Sequence, residues 1–353
     1  MAIFSIPSIR LTGMAASVPQ PSEHNADYTW ISKKEREYLI RNIGVETRHV
    51  APKGVTTSDL CVVAAEKLLN ELNWDRKEIE LLIFVSQSRD YLVPTTACIV
   101  QDRLGLSHSC IAYDVGMGCS GYVYGLSMVA SMMQSGVAKK ALLMVGDIST
   151  LTTSYRDKST YPLFGDAGTV TALEFNPGAT PFAFNLQTDG SGYKAIMIKD
   201  GGARHKMTRQ SFDMKKISKG IIRSRLNVEL DGIEVFNFSL REVVPNIKSL
   251  LKYTEKSLDD IDFLVFHQAN LLINNTLRKM LKLDPEKVPY SIREYGNTSG
   301  ASVPLTMVSQ LREQLTTGKV KLMLSAFGVG LSWGSVLLET DGIVCPEVIE
   351  FDK

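Results

Sequence analysis

Short apolar runs alternate with helical patterns along the chain. Leu81–Val85 and Ala141–Val145 are continuously apolar, which is typical of strands in a sheet that is covered on both faces. Residues 58–72 and 122–134 carry Val, Ala and Leu at helical spacing, and Gly136 stands where the second helix is expected to end. Because strands alternate with helices, the pattern predicts an α/β fold with largely parallel sheets.

The same pattern occurs a second time in the later part of the chain. A polar, acidic lead-in is followed by a short apolar strand at 73–85 and again at 255–267. Gly136 and Gly318 begin two further segments that resemble each other, and their separation is the same as that of the two lead-ins. Several pairs of similar segments in the same order indicate two similar halves rather than a chance match.

Two α/β halves side by side would stack as helix, sheet, helix, sheet and helix. We place their boundary at the turn signal in residues 176–178, so that the predicted halves are 1–178 and 179–353. The sequence thus predicts an αβαβα arrangement of five layers.

The composition excludes several classes of function. The 353 residues are 44% hydrophobic and 22% charged with a net charge of +1, so we expect a globular protein that binds no nucleic acid and does not insert into a membrane. The apolar runs are too short to span a bilayer. No export signal is seen, and the five cysteines are an odd number without metal-type spacing, so we expect a cytoplasmic protein with free thiols and no metal.

Cys119 is the first candidate for chemistry. It lies among glycines where an extended stretch, residues 111–115, leads into the helix that begins near Gly121. The unpaired N–H groups and the dipole of a helix N-terminus favour a thiolate by about 0.3–1 kcal/mol. Cys119 is therefore a candidate nucleophile, and the alternative is a buried cysteine in a glycine-rich turn.

His267 and Asn297 stand at comparable places in the second half. His267 closes the strand Phe263–Phe266, at a strand end where α/β proteins place their chemistry, although it could also be a core histidine. Asn297 precedes the helix around Leu305 as Cys119 precedes the helix of residues 122–134, although it could also be a simple turn residue. If a pseudo-twofold axis relates the halves, Cys119 and Asn297 approach each other at the centre.

Together these segments resemble the β-ketoacyl-(acyl carrier protein) synthase III family of the thiolase superfamily. The resemblance covers most of the chain, and the pairing of His-Gln-Ala-Asn with Gly-Asn-Thr-Ser some thirty residues later is specific. The segments that carry it are 44–48, 114–125, 164–166, 189–190, 232–236, 267–270, 296–304 and 327–334.

The resemblance implies a thiolase-like five-layer αβαβα fold and an acyltransferase without a metal or redox cofactor. Its nucleophile falls on Cys119 and its decarboxylating pair on His267 and Asn297. The implied reaction is a decarboxylative Claisen condensation, in a fatty acid or polyketide-type pathway, between a Cys-bound acyl group and a malonyl thioester. Acyl-coenzyme A or acyl carrier protein would deliver the acyl group. The N–H groups of Cys119 and Val329 would hold the oxyanion.

Several substrate-binding positions depart from the family pattern. Tyr38 and Asn42 stand where members of the family often have a Trp and an Arg that flank the adenine of coenzyme A, and Arg41 is adjacent to Asn42. Lys158 stands where the family has a further Arg at the mouth of the coenzyme site. The starter therefore need not be acetyl-coenzyme A. Leu272 stands where the family commonly has an Arg that binds the carrier protein.

Two further positions follow from the resemblance. Asn270 closes the His-Gln-Ala-Asn segment, and we count it among the expected substrate-binding residues. The resemblance also implies a homodimer in which Leu92 or Val93 lines the acyl tunnel of the partner.

The segment 204–225 is not explained by the pattern. It holds eight Lys or Arg residues and one acid, Asp213, and its fold is unclear from the sequence. We predict that it binds the acidic acyl carrier protein, and the alternatives are a solvated loop and a site for coenzyme A phosphates.

Other functions for the chain remain open at this point. They are acyl transfer to an oxygen or nitrogen nucleophile, a non-catalytic partner subunit of the same fold, and a papain-type hydrolase. The last lacks the expected Cys-Gly-Ser-Cys-Trp segment and leaves the repeat unexplained.

Overall fold

The computed structural model describes residues 2–352 and contains two main β-sheets, with helices on and between them, and three two-stranded sheets. The helices are α1 (Lys33–Ile43), α2 (Thr57–Leu72), α3 (Thr96–Arg103), α4 (Gly121–Gln134), α5 (Gly232–Tyr253), α6 (Leu271–Met280), α7 (Ile292–Tyr295), α8 (Ser302–Gln310) and α9 (Arg312–Thr317). The strands are β1 (Ala2–Ile6), β2 (Ile9–Pro19), β3 (Ser22–His24), β4 (Thr47–His49), β5 (Leu81–Val85), β6 (Ile111–Val115), β7 (Lys140–Asp147), β8 (Ala167–Phe175), β9 (Phe182–Thr188), β10 (Ile196–Met197), β11 (Lys215–Ser218), β12 (Ile221–Arg223), β13 (Glu229–Leu230), β14 (Phe263–Phe266), β15 (Lys319–Gly328), β16 (Ser332–Asp341) and β17 (Ile349–Phe351).

The two main sheets have matching orders. The first runs β17-β2-β8-β7-β5-β6 and the second runs β1-β9-β16-β15-β14. The pairs β5/β6, β5/β7, β14/β15 and β17/β2 are parallel, whereas β7/β8, β2/β8, β15/β16, β9/β16 and β1/β9 are antiparallel. The prediction of largely parallel sheets was therefore wrong. No α-helix separates β7 from β8 or β15 from β16, so the chain turns back into the antiparallel neighbour.

The helices complete five layers. Helices α4 and α8 contact strands of both sheets and form the central layer. Helices α2 and α3 pack on the outer face of the first sheet, while α5 packs on the outer face of the second and α6 packs against α5. The predicted αβαβα arrangement is confirmed.

The acidic lead-ins of the repeat have the same physical role in both sheets. Glu80 precedes β5 and its carboxylate accepts a hydrogen bond from the Lys139 N–H at 2.5 Å. Asp262 precedes β14 and accepts one from the Lys321 N–H at 2.7 Å. Each acid thus binds the backbone where the neighbouring parallel strand begins, which explains why the pattern repeats.

The chain termini cross between the sheets. Strand β1 pairs with β9 in the second sheet, and β17 pairs with β2 in the first. The division into halves 1–178 and 179–353 stays a prediction. Among residues 2–352 no helix is both long and apolar enough to cross a lipid bilayer.

Residues 199–227, which we call the rim segment, contain the basic stretch 204–225. They connect β10 to β13, and these two short strands pair with each other. Within the rim segment, β11 and β12 form an antiparallel hairpin around Gly220. The hairpin is fixed to the body of the protein, because the Gly220 carbonyl accepts hydrogen bonds from the Trp30 side chain and from the Lys158 N–H.

Candidate active site

Cys119, His267 and Asn297 line one cavity of about 350 Å³. Cys119 comes from the start of α4, His267 from the end of β14, and Asn297 from the loop before α8. Because α4 and α8 lie between the two sheets, their N-terminal ends bring residues of both sheets' loops to one place. The three residues named by the sequence therefore meet.

Cys119 is packed closely against the backbone of the loop after β15. A Cβ atom added at Gly328 would lie 2.6 Å from the Cys119 Cβ and 2.9 Å from its Sγ, so only glycine fits there. The Cys119 side chain is buried, and burial raises the pKa of its thiol to about 11.

This corrects the expectation of a thiolate in the resting protein. The sequence argument weighed the helix terminus, but desolvation has the larger effect on the pKa. The Asp147 charge adds to the rise. Hydrogen bonds from the Val329 N–H, the Ser299 hydroxyl and the N–H of Cys119 itself act in the opposite direction. The resting residue is a neutral thiol at pH 7.

The two N–H groups predicted for the oxyanion belong to Cys119 and Val329, which line the same cavity. Hydrogen bonds from both N–H groups lower the pKa of the Cys119 thiol. Their role as oxyanion donors stays a prediction.

His267 is neutral and firmly oriented. Its Nδ1 lies 2.7 Å from the Ser302 hydroxyl, and its ring stands edge-on to Phe327 with the ring centres 5.6 Å apart. Burial lowers the pKa of His267 to about 3, although the Ser299 carbonyl acts to raise it. The Ser302 hydroxyl also accepts a hydrogen bond from the Gln268 N–H at 3.2 Å, which holds it in place beneath the ring.

Asn297 is held by both ends of its side chain. Its Oδ1 accepts a hydrogen bond from the Ser299 N–H at 2.9 Å, and its Nδ2 donates to the Ala269 carbonyl at 3.3 Å. Its backbone is paired with the loop that carries Phe164. One N–H of the amide is left for a substrate oxygen in the cavity.

Sequence reasoning missed two residues of this site. Asp147 ends β7 as a buried carboxylate in the cavity wall. Burial raises its pKa, whereas hydrogen bonds from Ser299, Gln87, Ser86 and Ser88 lower it. Ser299 contacts the catalytic candidates and has a positive φ of 52°. An acid after the buried run Ala141–Val145 was the signal that could have found Asp147.

The predicted substrate-binding residues separate into two groups. Asn270 lines the cavity, and its Oδ1 also caps α6 through the Ile273 N–H at 2.8 Å. Tyr38 and Asn42 lie on α1 outside the cavity wall, where the Asn42 amide donates to the Tyr38 carbonyl and the Tyr38 side chain is 66% exposed.

The other three predicted positions also lie outside the cavity wall. Arg41 lines a separate surface depression with Leu271. Lys158 lies 3.6 Å from the Glu35 carboxylate and packs beneath Gly220 of the rim segment. Val93 is 83% exposed on the loop between β5 and α3. Their roles stay predictions.

Comparison with known proteins agrees with this geometry. The family model for 3-oxoacyl-[acyl-carrier-protein] synthase III matches residues 113–190, and the model for its C-terminal part matches residues 251–340. The first match contains Cys119, and the second contains His267 and Asn297. Both matched regions thus fall on the walls of the cavity.

Individual relatives match over nearly the whole chain. The beta-ketoacyl-[acyl-carrier-protein] synthase III of Syntrophomonas wolfei is 34% identical over 94% of this chain and 97% of its own. That of Geobacillus kaustophilus is 31% identical over 93% and 97%. The crystal structure of a 3-oxoacyl-(acyl-carrier protein) synthase from Burkholderia xenovorans superposes with a TM-score of 0.93 at 35% identity and covers 99% of both chains. The chain therefore belongs to the beta-ketoacyl-[acyl-carrier-protein] synthase III family of the thiolase superfamily.

Proposed function

We propose that the cavity is a condensing centre in which Cys119 carries the acyl group while His267 and Asn297 decarboxylate the second substrate. As a member of this family the protein is an acyltransferase, and its reaction is a decarboxylative Claisen condensation. The observation that supports the residue roles is that Cys119, His267 and Asn297 line one cavity together with Val329.

Acylation requires that the Cys119 thiol, whose pKa is about 11, lose its proton as the sulfur attacks. With the proton of the ring on Nδ1 and donated to Ser302, Nε2 of His267 can take up the thiol proton only transiently, because the pKa of His267 is lowered to about 3. The proton therefore passes on to the leaving carrier sulfur in the same step. The sulfur then attacks the carbonyl carbon of the incoming thioester. The oxyanion is stabilised by the N–H groups of Cys119 and Val329, and the carrier thiol leaves with the proton.

Condensation uses the other tautomer of the same ring. When the Ser302 hydroxyl donates to Nδ1, Nε2 carries a proton and donates to the thioester oxygen of a malonyl group beside the Asn297 amide. The bond to the malonyl carboxylate breaks and its electron pair forms the enolate as carbon dioxide leaves. The enolate carbon attacks the carbonyl carbon of the Cys119 thioester, and the tetrahedral oxyanion collapses to release a β-ketoacyl thioester and the Cys119 thiolate. The thiolate then takes a proton from water, which restores the thiol.

Two other functions would use the same Cys119. Acyl transfer to an oxygen or nitrogen nucleophile needs no enolate, and a non-catalytic partner subunit needs no acylation. The Asn297 amide, which is oriented by two hydrogen bonds with one N–H left over, favours the decarboxylating reaction.

The decisive experiment separates acylation from decarboxylation. Cys119→Ala should take up no acyl mass from any thioester. Asn297→Ala should still gain one acyl mass but release carbon dioxide from a malonyl thioester at least about a hundredfold more slowly, the scale of losing one oxyanion donor. Asn176→Ala, on a surface turn far from the cavity, is the matched control. Undiminished carbon dioxide release by Asn297→Ala would refute its role.

The homodimer is part of the proposal. Strand β6 is an edge strand that, in the described part of the chain, pairs with β5 alone, and Tyr113 on it is half exposed. The neighbouring loop carries Tyr91, Leu92 and Val93, whose side chains are 62%, 80% and 83% exposed. An unpaired edge beside a cluster of exposed apolar side chains is typical of a protein interface.

A dimer would place Val93 against the partner's acyl group. Val93→Phe should then shorten the accepted acyl chains, and light scattering should give twice the mass of one chain. A monomer at micromolar concentration would contradict this part of the proposal.

The rim segment is the proposed docking surface for the carrier protein. Both strands that flank it, β10 and β13, line the cavity, so the segment borders the cavity mouth. Arg223 and Arg225 are used in ion pairs with Asp157 and Asp200. Arg204, Lys206, Arg209, Lys215 and Lys216 form no salt bridge within the described residues 2–352. A cytoplasmic location, where carrier proteins and acyl-coenzyme A are made, remains our expectation.

A further inference from the structure

The loop that carries Val329 into the cavity has little local reason to hold one conformation. Val329 lies between Gly328 and Gly330, whose φ angles are positive at 156° and 143°. Glycines on both sides leave the backbone many alternatives, so the direction of the Val329 N–H is not set by the loop sequence itself. A contact from elsewhere in the fold has to fix it.

Ser332, the first residue of β16, makes that contact. Its backbone is paired with Gly328 of β15 and with Thr188 of β9, so its position is set by the second sheet. Its hydroxyl donates a hydrogen bond to the Val329 carbonyl at 3.0 Å. Holding this carbonyl also restrains the Val329 N–H, because only the two soft torsions of one residue separate the two groups.

A second hydroxyl reaches Ser332 from the side of the nucleophile. Ser120 directly follows Cys119, and its Oγ lies 2.7 Å from the Ser332 Oγ, with both side chains buried. Because Ser332 uses its one hydroxyl proton on the Val329 carbonyl, Ser120 is the donor of this pair. Two successive hydrogen bonds therefore connect the residue after the nucleophile with Val329.

The usual local role of a serine at this place does not explain Ser120. It is the N-cap residue of α4, and an N-cap serine ordinarily accepts a hydrogen bond from one of the first free N–H groups of its helix. The Ser120 side chain makes no such capping bond. Its hydroxyl pairs instead with a residue 212 positions later in the chain.

We propose that Ser120 and Ser332 are positioning residues for acyl transfer, whose paired hydroxyls hold the Val329 N–H at the carbonyl oxygen of the group on Cys119. This inference rests on the proposed role of that N–H as an oxyanion donor. Among the described residues 2–352, Val329 lines the cavity and neither serine does, so both serines act through Val329.

The proposal separates the steps of the reaction. Acylation and condensation each form a tetrahedral oxyanion on the carbon bound to Cys119, where the Val329 N–H acts. Decarboxylation forms an enolate oxygen at His267 and Asn297 instead. Loss of the hydroxyl pair should therefore slow the acylation of Cys119 and leave carbon dioxide release nearly unchanged.

Ser120→Ala is the principal variant, because it removes the hydroxyl without removing a helix cap. The substrate is the straight-chain acyl-coenzyme A, from acetyl to octanoyl, that acylates the wild type fastest, and intact mass gives the rate over a range of concentrations. We expect the maximal rate to fall about fivefold to tenfold while the half-saturating concentration stays within about twofold, because the lost contact acts in the transition state.

Ser332→Ala should have the larger effect, at least about tenfold, because the Val329 carbonyl loses its partner directly. The double variant should be no slower than Ser332→Ala by more than about twofold, since both hydroxyls act through one carbonyl. Ser135→Ala is the matched control. It removes a hydroxyl that donates to the Met132 carbonyl at the other end of α4, and it should leave the rate unchanged.

A single-turnover measurement distinguishes positioning from support of the fold. Each variant is first acylated to completion and then given a malonyl thioester, and carbon dioxide release is followed. We expect Ser120→Ala and Ser332→Ala to release carbon dioxide within about threefold of the wild-type rate, because enolate formation does not use the Val329 N–H.

Three results would overturn the inference. They are wild-type acylation rates in both single variants, losses that multiply in the double variant, and equal slowing of acylation and carbon dioxide release. If Ser332→Ala does not fold, Ser120→Ala decides the question alone through the first and third of these results. Failure of the proposed function is separate, because it would appear as no acylation of wild-type Cys119 by any thioester.

Discussion

The floor of the cavity and the rim segment are built on opposite principles. On the floor, Cys119, His267 and Asn297 are buried and each is fixed by backbone or side-chain contacts. In the rim segment, Lys215 and Lys216 stand on an exposed hairpin and make no salt bridge within residues 2–352. Residues on the floor therefore act on a substrate through fixed geometry and desolvation. The lysines of the rim segment can act on a partner only through solvent-exposed charge.

The two regions should respond differently to substitution and to salt. Desolvation shifts the pKa of both Cys119 and His267, in opposite directions, so that both groups are neutral at pH 7. Exposed charges on the rim are screened by salt, and each contributes little on its own. Substitutions on the floor should thus have large effects that depend on shape, and those on the rim should have small effects that depend on ionic strength.

The largest effect is expected for Gly328→Ala. The added Cβ would lie 2.6 Å from the Cys119 Cβ, and the glycine has a positive φ of 156° that other residues rarely adopt. We expect acylation to fall at least about a hundredfold, because small displacements of reacting groups are costly. Gly318→Ala, where an added Cβ meets nothing within 4 Å, is the control. Acylation by Gly328→Ala within threefold of wild type would show that the floor is not rigid.

The alkylation of Cys119 by iodoacetamide should report its desolvation. Since the pKa is raised to about 11, the thiolate fraction of the free protein should rise about tenfold per pH unit between pH 7 and 9. Peptide mass mapping separates this reaction from that of the exposed Cys98, and Cys119→Ala provides the blank. A rate that levels off below pH 8 would mean that the helix terminus outweighs burial.

Ser302→Ala should have an intermediate effect. It removes the hydroxyl 2.7 Å from His267 Nδ1, so the ring loses the partner that fixes its orientation and tautomer. We expect acylation and carbon dioxide release each to slow about tenfold, equivalent to one hydrogen bond of about 1–1.5 kcal/mol. Ser309→Ala near the end of the same helix is the control. Unchanged rates would exclude Ser302 as a positioning residue.

The sequence was most informative where periodicity or a motif reports burial. The strands predicted at Leu81–Val85 and Phe263–Phe266 have those bounds in the structure, and the helix predicted at residues 58–72 begins one residue earlier. A continuous apolar run can only be a covered strand or a buried helix, so its position follows from composition alone. The motifs around Cys119, His267 and Asn297 likewise located the floor of the cavity.

The sequence was less informative where function depends on distant neighbours. Asp147 was missed because its significance comes from a turn sixty residues earlier in the chain, around Gln87. The rise in the Cys119 pKa was missed because a helix terminus can be predicted locally, whereas burial depends on the whole fold. The hairpin of β11 and β12 was missed because its apolar residues, such as Ile217, are exposed rather than packed in a core.

Substitutions in the rim segment should have the smallest effect on the reaction, and this effect is the one that salt can abolish. The variant in which Lys215, Lys216 and Lys219 are changed to Glu reverses three exposed charges. Within residues 2–352 only Lys219 of these three forms a salt bridge, with Glu35 at 3.9 Å. If the acidic carrier protein docks here, the kcat/KM for carrier-bound substrate should fall about threefold to tenfold at low salt, because rim charges act mainly on the association rate. The deficit should fade as the Debye length shrinks from about 30 Å at 0.01 M salt to about 8 Å at 0.15 M.

The controls for this triple variant decide what the charge recognises. Reversal of Lys248, Lys252 and Lys256 changes the net charge equally, but these residues lie at or beyond the last two turns of α5, a helix of 22 residues whose first turn lines the cavity. At about 1.5 Å of rise per residue, they are roughly 20 Å or more along the helix from its last residue in the cavity wall, Val235. A loss in the rim variant alone, with carrier-bound substrate alone, supports docking. An equal loss with acyl-coenzyme A would assign the charges to phosphate binding, and equal rates for both triple variants at low salt would leave the rim segment a solvated loop.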